Sequence, residues 1–370
     1  MRKNKKNRRK KLRMLILLLV LTISFFGTST YAWFTANRIV TIESINVHVE
    51  TSDGIQISTN GSTWKSVLTQ ADITTGAYSG ADNFIPSTLD AVSTTGATTS
   101  DSSAGTRLLD MYSSTIGTDA TTGAYTLSTT KVDESTDKTK FVAFDIFLKV
   151  SSAKAVYINS ADTFSNVVMA SGSTDRGLKN AARVAFVPIG EAASTDTVAS
   201  ITSAFYSSSP KAVKIWEPNN DLHSTAVVNS VGVEYGFTGA NALTASGGNA
   251  VTYYGIKEAI PVANAVNLIN AVKGTTTTYG DPAVTFSETV TEGTVTNNST
   301  EYSTAGTLLS TPGTLATGKD YKAFDLAAGI TKMRVYMWIE GQDIDCENNA
   351  SGTDITFNLE LSIRESAGTP

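Results

Sequence analysis

Apolar and polar residues alternate with a period of two along much of this chain, the pattern of a half-buried β-strand. Ile45, Val47 and Val49 alternate with Asn46, His48 and Glu50. Over Phe141–Val150, one face carries Val142, Phe144, Ile146, Leu148 and Val150. Met333, Val335, Met337 and Ile339 share a face, and Arg334, Tyr336, Trp338 and Glu340 share the other. Ile355, Phe357, Leu359, Leu361 and Ile363 repeat the pattern near the C-terminus. These last two runs, joined by a polar loop, read as an antiparallel pair. Shorter runs over Ala182–Ile189, Ala212–Trp216 and Val251–Ile256 add further strands. Asn60-Gly61 separates Ile55–Ser58 from Thr63–Val67 and predicts a tight hairpin, because both turn residues tolerate positive φ.

One segment, Ala259–Lys273, has helical spacing, with Val262, Val266, Ile269 and Val272 four, three and three residues apart. Many short strands and no regular alternation with helices exclude a parallel α/β sheet and predict an all-β sandwich or barrel. Residues 75–135 and 275–318 are rich in Ser, Thr, Gly and Asp and read as long insertions, loops or hairpins decorating one end. The first holds a loose repeat at Thr74–Ser79 and Thr94–Thr99, continued at Thr121–Thr126. Its spacings of 20 and 27 are unequal, so it reads as repeated turn chemistry and not as a solenoid.

Charge changes the picture at the N-terminus. The chain has 370 residues and a formal net charge of −5. Nine of its 29 cations fall within residues 1–13, before any acid. The remaining 20 face 34 acids, a balance of −14 that excludes nucleic-acid binding as the main activity. Met14–Phe26 is uncharged and apolar, and Gly27–Ala32 is small and polar apart from Tyr31. Basic, apolar, then small is the order of a secretory signal. Thr30 and Ala32 suit the positions before a signal-peptidase cut, which divides the chain into a 1–32 leader and a 33–370 extracellular body. The rival reading is an uncleaved anchor helix, since Met14–Ala36 carries no charge and is long enough to span a bilayer. Under both readings the body lies outside the cytoplasm.

The run Gly27-Thr-Ser-Thr-Tyr-Ala-Trp-Phe-Thr35 resembles the signal boundary of the TasA/camelysin group, secreted fibre proteins of Gram-positive bacteria. Val335–Cys346 (VYMWIEGQDIDC) is similar to a C-terminal stretch of Firmicutes surface proteins that share this N-terminus. The resemblance implies a jelly-roll-like antiparallel β-sandwich that polymerises into cell-surface or biofilm-matrix fibres. Its partners would then be itself or related subunits. Trp33, Phe34, Ile39, Val40 and Ile42 lie just after the expected cut, in a strand-compatible segment without an acid. That strand either pairs within its own sheet or completes the sheet of a neighbour.

Catalytic signatures are absent from the sequence: it contains no nucleophile elbow, no P-loop and no His-Glu-x-x-His. Two histidines, His48 and His223, and one cysteine, Cys346, exclude an ordinary Cys/His zinc site and an internal disulfide. Camelysin relatives are classed as metallopeptidases, but no zinc motif here supports that activity, and the expectation is a protein that is not an enzyme. Glu340, Asp343, Asp345 and Glu347 form an acidic cluster that either wraps a Ca²⁺ ion or is a solvated loop. No other cofactor is expected. Cys346 reads as an intermolecular disulfide or reactive thiol, or as a small half-buried residue. Trp33, Phe34, Trp64, Trp216 and Trp338 read as core, with a ligand-binding patch as the alternative. The function reading is an exported structural protein of surface fibres. The alternative is a membrane-anchored adhesin whose Ser/Thr-rich loops bind a ligand.

Overall fold

The computed structural model describes residues 40–49, 54–118, 125–158, 166–169, 178–216, 266–267, 290–291, 294–295, 306–308, 321–341, 345–346 and 354–364. In chain order the strands begin with β1 (Val40–Val49), β2 (Gln56–Ser58), β3 (Val67–Leu68), β4 (Thr88–Leu89), β5 (Ala91–Asp101), β6 (Thr106–Thr118) and β7 (Tyr125–Lys131). They continue with β8 (Val142–Val150), β9 (Lys154–Ile158), β10 (Asn166–Met169), β11 (Ala182–Ala192), β12 (Val213–Trp216) and β13 (Val266–Asn267). The last are β14 (Val290–Thr291), β15 (Thr294–Val295), β16 (Gly306–Leu308), β17 (Tyr321–Leu326), β18 (Gly329–Glu340) and β19 (Asp354–Arg364). Two α-helices of five residues each are described, α1 (Gln70–Thr74) and α2 (Val198–Thr202). The chain is all-β, in sheets of mixed strand direction.

A seven-stranded sheet runs β17-β9-β19-β1-β3, with β10 and β4 paired at its margins. A ten-stranded sheet runs β13-β7-β6-β5-β18-β11-β12-β16, with β8 and β2 attached beside β18. Most pairs are antiparallel, but β1 lies parallel to β19, β5 to β18 and β12 to β16. The antiparallel expectation is corrected at those three pairs. The first described strand and the last are therefore hydrogen-bonded side by side, from Thr41↔Asp354 to Val49↔Leu361 with one register shift between Ile42 and Ser44.

The apolar faces read from the sequence point into one cluster shared by both sheets. Ile45, Val47, Ile355, Phe357 and Leu359 enter it from the smaller sheet, and Val142, Phe144, Val184, Met333 and Val335 from the larger. The expected pairing of the last two apolar runs is wrong. β18 belongs to the larger sheet and β19 to the smaller. Each has an apolar face to bury, and the two strands meet across that cluster instead of sharing a ladder. The Asn60-Gly61 turn forms as expected, with Gly61 at φ +70° and the Asn60 Oδ1 accepting from the backbone N–H groups of Ser62 and Thr63. Only Ile57 and Lys65 bridge its arms. Beyond them β2 joins β8 in the larger sheet and β3 joins β1 in the smaller, so the turn is a corner between sheets.

The expected helix over Ala259–Lys273 is corrected at Val266–Asn267, which form β13 against Thr126 and Leu127; its other residues, like Val251–Ile256, lie outside the described ones. Residues 75–135 hold ordered strands, including the β5-β6-β7 meander of the larger sheet. The two described copies of the Thr-Thr-Gly-Ala repeat, Thr74–Ser79 and Thr94–Thr99, share no common structure, and Thr121–Ala124 of the third lies outside the described residues. Thr75 caps the end of α1, and Gly96 sits in a register shift of β5 at φ +75°. Such a bulge bends a strand. Leu109 and Met111 of β6 then pack with Ala143, Ala185, Val187, Tyr336 and Trp338 on the outer face of the larger sheet. The central strands are thereby buried on both faces, and every residue of β18 is buried.

Candidate functional site

Of the residues singled out in the sequence, Thr30, Ala32, Trp33, Phe34, Ile39, Asp343, Glu347 and His223 lie outside the described ones. Val40 and Ile42 fall on β1, opposite Leu89 and Ile355 respectively. His48 is in register with Val67 on one side and Glu360 on the other. Glu340 ends β18 fully buried, and its Oε2 accepts the indole N–H of Trp338 at 3.2 Å. Asp345 and Cys346 are buried too, Cys346 in the main apolar cluster. Glu340 and Asp345 are therefore packed carboxylates where a solvated loop was one expectation. Among the described residues, no group of three or more His, Cys, Asp or Glu is arranged to hold a metal. Trp216 and Trp338 are core residues. Trp64 packs beside Phe147, Ile201 and Ile330 with the Lys149 ammonium 4.3 Å from its ring centre.

The most charged buried place in the described structure is one that strand periodicity did not announce. It lies on the outer face of β18, around Arg334, which is 2 % exposed. The Arg334 Nε donates to Glu134 Oε1 at 2.9 Å and Nη1 to Asp145 Oδ1 at 2.7 Å. Its Nη2 donates to the Asp82 carbonyl at 2.6 Å and makes a second, shorter contact with Glu134. Tyr336 Oη donates to Glu134 Oε2 at 2.8 Å and accepts the Leu109 backbone N–H at 3.1 Å. Tyr78 Oη donates to Asp145 Oδ2 at 2.6 Å. Lys332, two residues before Arg334 on the same face, places its Nζ 3.9 Å from Asp145 Oδ2. That Nζ also donates to the Thr202 carbonyl at 2.8 Å and to the Gly105 carbonyl at 3.4 Å.

Each part comes from a different element. Asp145 is on β8, directly across the ladder from Arg334. Glu134 is in the loop after β7, Tyr78 and Asp82 follow α1, Gly105 is the β5–β6 turn, and Thr202 ends α2. Two cations balance two carboxylates, as burial of charge demands. Desolvation raises the Glu134 carboxyl above its ordinary pKa against the opposing pull of Arg334 and the Tyr336 hydrogen bond. Desolvation alone would lower the Arg334 guanidinium, but Tyr336, Asp145 and Glu134 hold it well above its usual value. Desolvation lowers the Lys332 ammonium, with Asp145 opposing and Arg334 reinforcing the shift. Burial and then Asp145 push the Tyr78 phenol up. The arrangement fastens four loops onto β8 and β18. The sequence does carry its signal: Asp145 interrupts the apolar run VAFDIFL, and Lys332 and Arg334 interleave with Met333 and Val335.

A cleft of about 510 Å³ lies between the edge of the smaller sheet and the larger one, lined by Phe324, Leu326, Met333, Pro188, Lys211 and Lys214. Apolar side chains and the two lysines line it together. No family model, no curated protein and no solved structure matches the chain.

Proposed function

We propose that this chain is an exported, non-catalytic structural protein, a subunit or accessory of cell-surface or biofilm-matrix fibres assembled by strand exchange. The body is read as a jelly-roll-like β-sandwich released by signal peptidase after Ala32, and held at the membrane by its N-terminal helix until then. The observation that carries this reading is the seat of β1. It begins eight residues after the expected cut and lies parallel to β19. On its other side, among the described residues, Val40–Thr41 pair with β4 and Val47–His48 with β3, and the Val49 N–H donates to the Ser66 carbonyl. Its Ile45, Val47 and Val49 are in the core. Three such side chains contribute roughly 5–9 kcal/mol gross on burial, before the entropy of ordering is subtracted. A strand that contributes this much to the core and is the first described along the chain is suited to exchange: a neighbour's β1 fits the same groove, because it has the same sequence.

Deleting residues 33–42 tests this. The expected result is loss of filaments with the body still folded. Filaments persisting in that deletion would remove the strand-exchange mechanism. The cleft favours a second reading, a surface-bound binding module, because its volume is in the range of small-ligand sites. A chain recovered with residues 14–26 attached, dispersed and ligand-bound, would favour that reading.

A further inference from the structure

We propose that Lys332 and Asp145 condense into an intramolecular amide, a covalent cross-link between β18 and β8. In β18 against β8, Arg334 stands opposite Asp145 and Lys332 opposite Phe147. Lys332 and Asp145 are thus diagonal neighbours on one face, where long side chains meet. Other lysine–carboxylate pairs among the described residues are wet. The lysines of Lys65–Asp72, Lys131–Asp110, Lys138–Asp82, Lys140–Asp90 and Lys211–Glu191 are 22 to 46 % exposed. In Lys332–Asp145 the side chains are 3 % and 6 % exposed. Water that would hydrate both charges and favour hydrolysis is kept out there.

The surroundings are organised for acyl transfer. In the dry pair, one ammonium proton passes from Nζ to Asp145 Oδ2, which leaves a neutral amine beside a neutral acid. Two N–H bonds of that amine remain on the Thr202 and Gly105 carbonyls, so its lone pair is directed to the remaining side, where Asp145 sits. Nζ attacks Cγ, and the Nζ–Cγ bond forms. The negative charge develops on Oδ1, where the Arg334 Nη1 already donates at 2.7 Å. The Cγ–Oδ2 bond then breaks. Oδ2, held by the Tyr78 hydroxyl at 2.6 Å, takes a second proton that originates on Nζ and leaves as water. Both protons of that water come from the ammonium, so no oxidant, cofactor or activating group is consumed. Desolvation already lowers the Lys332 pKa, which favours the amine. The product has two fewer buried charges, and Arg334 with Glu134 remains as a balanced pair. The ring of Tyr78, 5.2 Å from Nζ, covers the site.

The test is the mass of the full-length secreted chain in denaturant, followed by a tryptic map. The expected mass is one water below that calculated for the observed N-terminus. Trypsin does not cut after an acylated lysine, so Phe141–Lys149 should appear joined to Ala323–Arg334. Lys332→Met and Asp145→Ala should each restore the full mass, and the wild-type map decides the matter even where those variants fold poorly. Full mass, with Phe141–Lys149 and Ala323–Lys332 recovered as separate peptides, overturns the proposal. So does a water loss that maps to any other residue.

Discussion

Replacing Arg334 with methionine keeps much of the side chain's length and removes its charge. It deletes the donors to Glu134, Asp145, Tyr336 and the Asp82 carbonyl. The Glu134 carboxylate, 5 % exposed, keeps only the Tyr336 hydroxyl among its described partners. Breaking a buried pair by removing one partner costs about 3–5 kcal/mol, because the other charge stays buried. At a urea slope of about 2–3 kcal/mol per molar, the unfolding midpoint should fall by more than about 1 M. The loss should depend on pH. Glu134 already has a raised pKa in the folded protein, and removing its cation raises it further. A group with a raised native pKa binds more protons folded than unfolded, so stability falls as pH rises through that value. The variant should therefore recover part of its deficit as pH is lowered toward the ordinary carboxylate range. Arg334→Met with Glu134→Leu should be more stable than Arg334→Met alone, since the orphaned charge is gone. Urea titrations at two pH values measure all of this. A loss within about 0.5 kcal/mol at neutral pH, the size of a surface change, would refute the account of this cluster as a buried fastening.

Two further predictions concern single positions. A Cβ built on Gly190 would stand 2.3 Å from the Ala204 carbonyl carbon and the Phe205 nitrogen. Gly190→Ala should therefore cost about 1–3 kcal/mol or more, and an unchanged melting temperature would show that this approach is not tight. Lys65, and then the Thr69 backbone, hold the Asp72 carboxyl below its usual pKa at the start of α1. Its capping contribution is present above the ordinary carboxylate pKa and fades as pH falls through the lowered one. Lys65→Met should raise the Asp72 pKa in an NMR titration, and an unmoved value would assign the shift to the backbone alone.

Strand periodicity located β1, β8, β11, β18 and β19 because each of them presents an apolar face to the shared core, and β12 because Val213 and Ile215 face the outer cluster. It mispaired β18 and β19, since alternation says which face is buried and nothing about which ladder a strand joins. It read Arg334 and Tyr336 as an outer face without seeing that β6 covers them. β5, which carries β6, has a register shift around Gly96 at φ +75°, and the Thr-Thr-Gly-Ala repeat disguised it as ordinary turn chemistry. The ionic cluster was legible only as charges within apolar runs, at Asp145 and at Lys332 and Arg334. Its partners Glu134 and Tyr78 come from loops whose sequences look like any polar connection. The helical spacing at Val262–Val272 did not prevail at Val266–Asn267, where pairing with β7 supplies a ladder instead.

The most direct test of the proposed function joins two observations on one sample. The N-terminal mass of the protein recovered from cells should be measured, with negative-stain microscopy of the same fraction. A chain beginning at Trp33 and present as filaments is the predicted result. A chain retaining its basic N-terminus and present as dispersed particles would contradict it.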